Sequence, residues 1–304
     1  MSRDSIRYKT WKRFSRNRAA LLGLLILAIL AILAIGAPWI APYHYADGDV
    51  RYNFAPPSKE HWLGCDYMGR DILSRLIYGT RVSLTIAFVS AITSFLIGIS
   101  YGIVSGYCGG AIDNLMMRFV DIAWGFPTLL LIILMMVFFK SSFARVTPGT
   151  FAGTLSAIDR ALGGMFFICI GIGLTAWLMI ARLARGMTLA VRERDFVEAS
   201  RACGATGMYI IRKHLLPNII GPCIVQVTLQ IPTFILYEAF LSFIGLGVDP
   251  PTPSWGMMIN EGYIAMRSYI HVFLAPALAL SITILAFNFV GDGLRDALDP
   301  RWQR

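Results

Sequence analysis

The most enzyme-like residue in the chain is Ser100, inside the literal GxSxG of "GISYG". A nucleophile elbow needs a strand, a sharp turn and a helix around that serine. Ser100 lies instead within an apolar run of helical length, so hydrolase chemistry is not expected. The five cysteines (Cys65, Cys108, Cys169, Cys203, Cys223) show no CxxC spacing, and the four histidines form no HExxH. Neither a disulfide framework nor a zinc site follows. No lysine follows a glycine, so there is no GxxxxGK[ST] loop to cradle ATP phosphates. No catalytic, cofactor-binding or metal-binding residue is assigned. What remains are polar groups in apolar surroundings. Asp121, Glu238, Asn288 and Asp292 fall within or beside long apolar runs. There a polar group marks a translocation path or gate, or else serves an interhelical hydrogen bond. Asp113 and Arg118 are expected to pair near a short loop.

The elements that would position these groups are membrane helices. Mean hydropathy is +0.62 and 15% of residues are charged, against about 25% in soluble domains. A hydrocarbon core of about 30 Å needs roughly 20 apolar residues in a helix. Six runs meet this, at about 19–40, 82–105, 118–139, 165–186, 219–245 and 273–293. The fold class is therefore an all-α integral membrane protein of six transmembrane helices, with residues 19–293 as one membrane domain. Six spans place both termini on one side. Eighteen Lys and Arg flank the spans on that side and eight on the other, which makes the termini cytoplasmic by the positive-inside rule. The same rule accounts for the net charge of +9 without a nucleic-acid partner.

Tyr8, Trp11 and Phe14 share one helix face opposite the basic residues of the first 18 positions. That pattern predicts an interfacial helix over residues 1–18, lying on an anionic bilayer surface. The apolar run after it is too long for a signal peptide and lacks a cleavage site. Residues 294–304 are read as a cytoplasmic tail. Outside lie segment 41–80, a loop at 140–164, and "GVDPPTPSWG", stiffened by its prolines. Within segment 41–80, "DYMGRDILSRLIYG" reads as an amphipathic helix on the outer surface or at a cavity mouth. Gly98, Gly102 and Gly106 recur every four residues, which permits close helix approach.

The largest cytoplasmic loop, 187–218, contains "FVEASRACGATGMYIIRKHLLPN". Asp195 is a suitable N-cap, and Phe196, Ala199, Ala202 and Cys203 fall on one face. Gly204 can take the left-handed conformation that ends a helix. A second short helix, about Gly207 to Leu215, then leads to Pro217 in the first turn of the next span. The product is a knuckle whose small apolar face is ringed by Arg201, Arg212 and Lys213. It is either a docking element or a plain connector.

Glu198-Ala199-Ser200, then Gly204, then His214-Leu215-Leu216-Pro217-Asn218 resemble the EAA loop of ABC importer permeases. Ser200 departs from the alanine common at that position. "LGCDYMGRDILSRLIYGTRVSL", "GYCGGAIDNLMMRFVDI", "LSFIGLGVDPPTPSWG" and "FNFVGDGLRDALDPR" are similar to the oligopeptide/dipeptide (peptide/nickel) importer family, in particular its OppC/DppC-type subunit. The resemblance implies a type I ABC importer permease bundle that forms half of a peptide translocation pathway. It implies that Glu198, Ala199, Ser200, Gly204, His214, Leu216 and Pro217 couple the chain to an ATPase. It further implies a second permease subunit, two ABC ATPase subunits holding ATP and Mg2+, and an extracytoplasmic peptide-binding protein, all at a bacterial inner membrane. Nickel and glutathione are cargoes of near relatives. A self-sufficient secondary transporter or channel would show charged pairs in mid-membrane or broken half-helices, and neither is expected from these spans.

Overall fold

The computed structural model describes residues 11–143, 146 and 149–298. Its regular elements are helical throughout these residues. Helix α1 is Arg18–Ile35, α2 Ile72–Cys108, α3 Gly110–Trp124 and α4 Thr128–Phe143. Helix α5 is Phe151–Ala161, α6 Met165–Arg192 and α7 Asp195–Ala202. Helix α8 is Gly207–Phe243, followed by α9 Trp255–Ala265 and α10 Ile270–Leu298. Five of these, α1, α2, α6, α8 and α10, are long and apolar enough to cross a membrane; α3 and α4 make a sixth when the bent pair is counted as one span.

The predicted span at 118–139 is not one straight helix. It breaks between α3 and α4 with a bend of 87°. The cause lies in Gly125-Phe126-Pro127: proline removes an N–H and pushes the preceding residue away from helical dihedrals. A broken half-helix, which the spans did not suggest, is therefore present.

The helix at "DYMGRDILSRLIYG" is also not a separate surface element. Ile72 opens α2, whose 37 residues extend about 55 Å, well beyond a hydrocarbon core of ~30 Å. Asp71 caps it by accepting from Ser74 N at 2.7 Å. Both faces of this extension are buried. Arg70 and Arg75 converge on Asp66 and on Glu261 of α9, while His61 Nδ1 meets Asp71 at 3.0 Å. Segment 41–71 is thereby fastened to α2 and α9 by charge-assisted bonds.

The bundle is organised around the α2–α6 seam. A Cβ on Gly98 would lie 2.7 Å from Ile180 Cβ, and one on Gly106 would lie 2.8 Å from Thr188 Cβ. The four-residue glycine spacing thus does bring two backbones together, as small residues do within membranes. Ile86, Ile132, Met136, Ile168, Ile172 and Phe234 fill the main core between α2, α4, α6 and α8. Helix α1 packs along α10, where Gly23 faces the Ala286 carbonyl and Ala20 meets Gly293. The first and last described helices therefore share one end of the bundle. In the predicted interfacial segment, Trp11 and Phe14 stack with centroids 6.0 Å apart. Phe14 is buried against Ala20 and Ala297 rather than lying on a surface. Tyr8 lies outside the described residues, as does 299–304 of the predicted tail; 294–298 continue α10.

Candidate functional sites: a helical knuckle and a polar cavity

The knuckle begins where α6 ends. Arg194, not Asp195, occupies the N-cap of α7, and no side chain closes it. Asp195 lies one position inside, where its charge complements the positive end of the helix dipole. At the other end Gly204 has φ of 82°. Gly204 N donates to Arg201 O and Ala205 N to Ser200 O, at 3.0 and 3.1 Å. These two bonds form a Schellman motif, which satisfies the carbonyls left open at a helix end.

Beyond the corner, Thr206 caps the next helix, its Oγ1 accepting from Tyr209 N. The expected second helix is not free-standing. Gly207–Ile210 runs through a π turn at Ile211–Leu215 directly into Leu216–Phe243. Pro217, in the first turn of that last stretch, has no N–H to give to carbonyl 213, and the wider turn accommodates this. The knuckle is therefore the leading end of α8.

The two arms are joined across the corner. His214 Nε2 and Ser200 Oγ lie 3.2 Å apart, and the His214 ring sits between Phe196 and Tyr209, with centroids 5.6 and 5.9 Å away. Asn218 Nδ2 donates to His214 O at 2.6 Å. Val197, Ile210 and Leu215 are buried beneath, against Tyr107 at the end of α2 and Val191 of α6. Leu216 packs partly into the neighbouring core. Phe196, Glu198, Ala199, Ala202, Cys203, Gly204, Met208, Tyr209 and Pro217 are exposed, with Arg201, Arg212 and Lys213 around them. An apolar patch with a cationic rim, locked from below, is thus on the outside of the molecule. Sequence reasoning missed Val197, Thr206 and Tyr107. Thr206 was legible as a capping residue before a helix, but the contact with Tyr107 had no local signal.

The intramembrane groups separate into two kinds. Glu238 is fully buried and accepts from Ser83 Oγ at 3.0 Å and from Ser242 Oγ at 2.8 Å. Ser83 Oγ also accepts from Trp255 N. This carboxylate ties α8 to α2 and to the start of α9, and it is not among the residues lining the cavity described below. Asp113 pairs with Arg185, Nε and Nη2 each at 2.6 Å, not with Arg118. Five residues along one helix turn Arg118 about 140° away, and it is exposed. Asp121 pairs with Arg182 at 2.7 Å, whose guanidinium lies 3.9 Å over the Trp124 ring. Asn288 is half-buried and Asp292 exposed on α10, and neither lines the cavity described next.

That cavity, of about 270 Å3, opens at the α3–α4 break. Trp124 and Thr128 flank the break, Thr175 and Met179 come from α6, and Gln230, Thr233 and Tyr237 come from α8. The spacing i, i+3, i+7 places the last three on one helix face. None of them was singled out from sequence, although three polar residues on one face of an apolar span are a readable signal.

Helix bundle, broken span and surface knuckle together define a multi-pass helical membrane protein. The profile described as "Binding-protein-dependent transport system inner membrane component" matches residues 98–304, and "N-terminal TM domain of oligopeptide transport permease C" matches residues 6–57. The chain belongs to this family of ABC importer permeases. Among its relatives, the dipeptide transport system permease protein DppC of Bacillus subtilis is 40% identical, covering 100% of this chain and 89% of that protein. The oligopeptide transport system permease protein OppC of Haemophilus influenzae is 41% identical over 95% and 87% respectively. The glutathione transport system permease protein GsiD of Escherichia coli O157:H7 is 38% identical over 97% and 90%. Among solved structures, an inward-facing form of the MetNI methionine ABC transporter superposes with a TM-score of 0.56 at 23% identity, covering 75% of this chain and 98% of that one. It shares the fold.

Proposed function

We propose that this permease carries oligopeptides or dipeptides, as one of two different permease chains in a bacterial inner membrane. Both termini and the knuckle face the cytoplasm, a reading supported by the eighteen-to-eight excess of Lys and Arg. The knuckle seats in one of two ATPase subunits, which bind ATP and Mg2+ and perform all hydrolysis. An extracytoplasmic binding protein delivers peptide to the far end. The peptide cargo is supported by the relatives named for dipeptide and oligopeptide transport.

The observation that carries the coupling role is the continuity of α8. From Leu216 to Gln230 the helix continues for about 21 Å, past Pro222, which costs one main-chain bond without ending it. A packed helix moves as a unit, so displacement of the knuckle is delivered to the cavity wall. Rocking of the two permease chains then alternates the access of that cavity.

The test uses the assembled transporter in proteoliposomes. Glu198→Arg and Gly204→Pro should abolish ATP-driven peptide uptake while the chain still inserts. A crosslinker on Cys203 should capture the ATPase. Normal uptake by both variants, or capture of lipid alone, would refute the coupling assignment. ATP hydrolysis by the isolated chain would refute the division of labour.

A further inference from the structure

The cavity at the α3–α4 break has an unusual lining for a site that must hold polar cargo. Trp124, Thr128, Thr175, Gln230, Thr233 and Tyr237 supply its polar groups, and it has no Asp, Glu, Lys, Arg or His. Arg182, stacked on the lining residue Trp124, is neutralised by Asp121. Gln230 Oε1 is buried without a hydrogen-bond partner. Its Nε2 reaches only Met179 Sδ, at 3.5 Å, and a thioether is a weak acceptor. That leaves the Gln230 amide N–H free to donate to a carbonyl in the cavity. Thr175 Oγ1 directs its proton to the carbonyls of Gly171 and Ile172, so its donor is committed to its own helix. Tyr237 and Thr128 hydrogen-bond one another, and the exposed Thr233 hydroxyl can both donate and accept.

We propose that this cavity is the chain's half of a binding site for the peptide main chain, in which Gln230 is the specificity-determining group for amide units. A peptide unit presents one N–H and one C=O whatever side chains flank it, and the lining matches both. The absence of charge then makes the site indifferent to side-chain charge, which suits cargo of varied sequence. A bare divalent cation finds no anionic ligand here. At ~30 Å3 per water, the volume holds about nine waters, room for a short stretch of extended chain. This assignment rests on the peptide reading of the proposed function.

The experiment compares uptake of three tripeptides of equal length, one neutral, one with Lys and one with Glu, by the assembled transporter in proteoliposomes. Each variant's Lys-to-Glu uptake ratio is divided by that of the unmodified transporter, which cancels any preference of the binding protein. Thr233→Asp should raise this ratio about tenfold and Thr233→Lys should lower it comparably, as expected for a charge placed within several ångströms of the cargo at low effective dielectric. Gln230→Leu should depress uptake of all three peptides about equally, by roughly tenfold, the cost of one lost buried hydrogen bond. As a measurement independent of turnover, Thr233→Cys should react with a methanethiosulfonate reagent more slowly when peptide is saturating. Unchanged charge ratios in both Thr233 variants, full uptake by Gln230→Leu, or no peptide protection of Thr233→Cys would overturn the assignment. Absence of peptide uptake by the unmodified transporter would instead defeat the proposed cargo.

Discussion

Gly102 sits where α2 and α6 approach most closely, and replacing it tests the seam directly. A Cβ there would run into the Ala181 carbonyl oxygen and lie 2.7 Å from Ala184 Cβ and 2.8 Å from Arg185 N. These are main-chain or Cβ atoms, so no side-chain rotation makes room. Carbon atoms prefer separations of about 3.5–4.0 Å, and the helices would have to part by about 1 Å. Overpacking of this kind costs ~1–3 kcal/mol. Gly186 lies further along α6 with nothing within 4 Å of its own would-be Cβ. There, alanine should gain about 0.5–1 kcal/mol by restricting the unfolded chain and favouring helix. The two substitutions are chemically identical and should have opposite signs, separated by at least about tenfold in the unfolding equilibrium. SDS titration of the detergent-solubilised protein, followed by tryptophan fluorescence, measures the gap, with Trp177 of α6 buried close to the seam. If Gly102→Ala proved as stable as Gly186→Ala, the close approach of α2 and α6 would be wrong.

Two further outcomes concern groups outside the spans. Burial, with a smaller effect from Asp249, raises the Asp159 carboxyl above its usual range. A folded pKa above the unfolded one stabilises at low pH and loses that contribution as pH rises through the folded value. The melting temperature of the unmodified protein relative to Asp159→Asn should therefore fall from about pH 4 upwards; a difference that stays flat to pH 7 would contradict this. Cys65 is fully buried and its thiol is pushed up to about 11, mainly by burial, whereas Cys203 is exposed on the knuckle. At neutral pH a maleimide should label Cys203 and spare Cys65 in the folded protein, because only an accessible thiolate reacts. Mass spectrometry showing Cys65 modified would count against the packing of segment 41–71.

The knuckle was legible because its rules are local. Gly204 could be read as a left-handed helix end and Pro217 as a first-turn residue from types and spacing alone, and both hold in three dimensions. The spans were legible from length and hydropathy, and so was the glycine seam. The break at Gly125–Pro127 had a local signal too, but averaging hydropathy over a whole span hides one proline. Pairing was a different matter. Asp113 finds Arg185, 72 positions away, and Glu261 of α9 finds Arg75 of α2, 186 positions away. No local pattern specifies such partners, because helix packing sets them after the helices exist.

The same point bears on the ionisable groups within the spans. A charge in hydrocarbon costs so much unpaired that a stable fold surrounds it with donors, as Ser83 and Ser242 surround Glu238. Once satisfied in this way, the group is tied to structure and has nothing left to offer a passing ligand. A neutral amide or hydroxyl costs less to leave incompletely paired, so it can face a cavity and wait. Gln230 does so, with an amide N–H that reaches only the weak acceptor Met179 Sδ, in the lining of the cavity at the α3–α4 break. In a transporter of uncharged main chain, it is the neutral polar face of a span, read at i, i+3 and i+7, that points to the cargo.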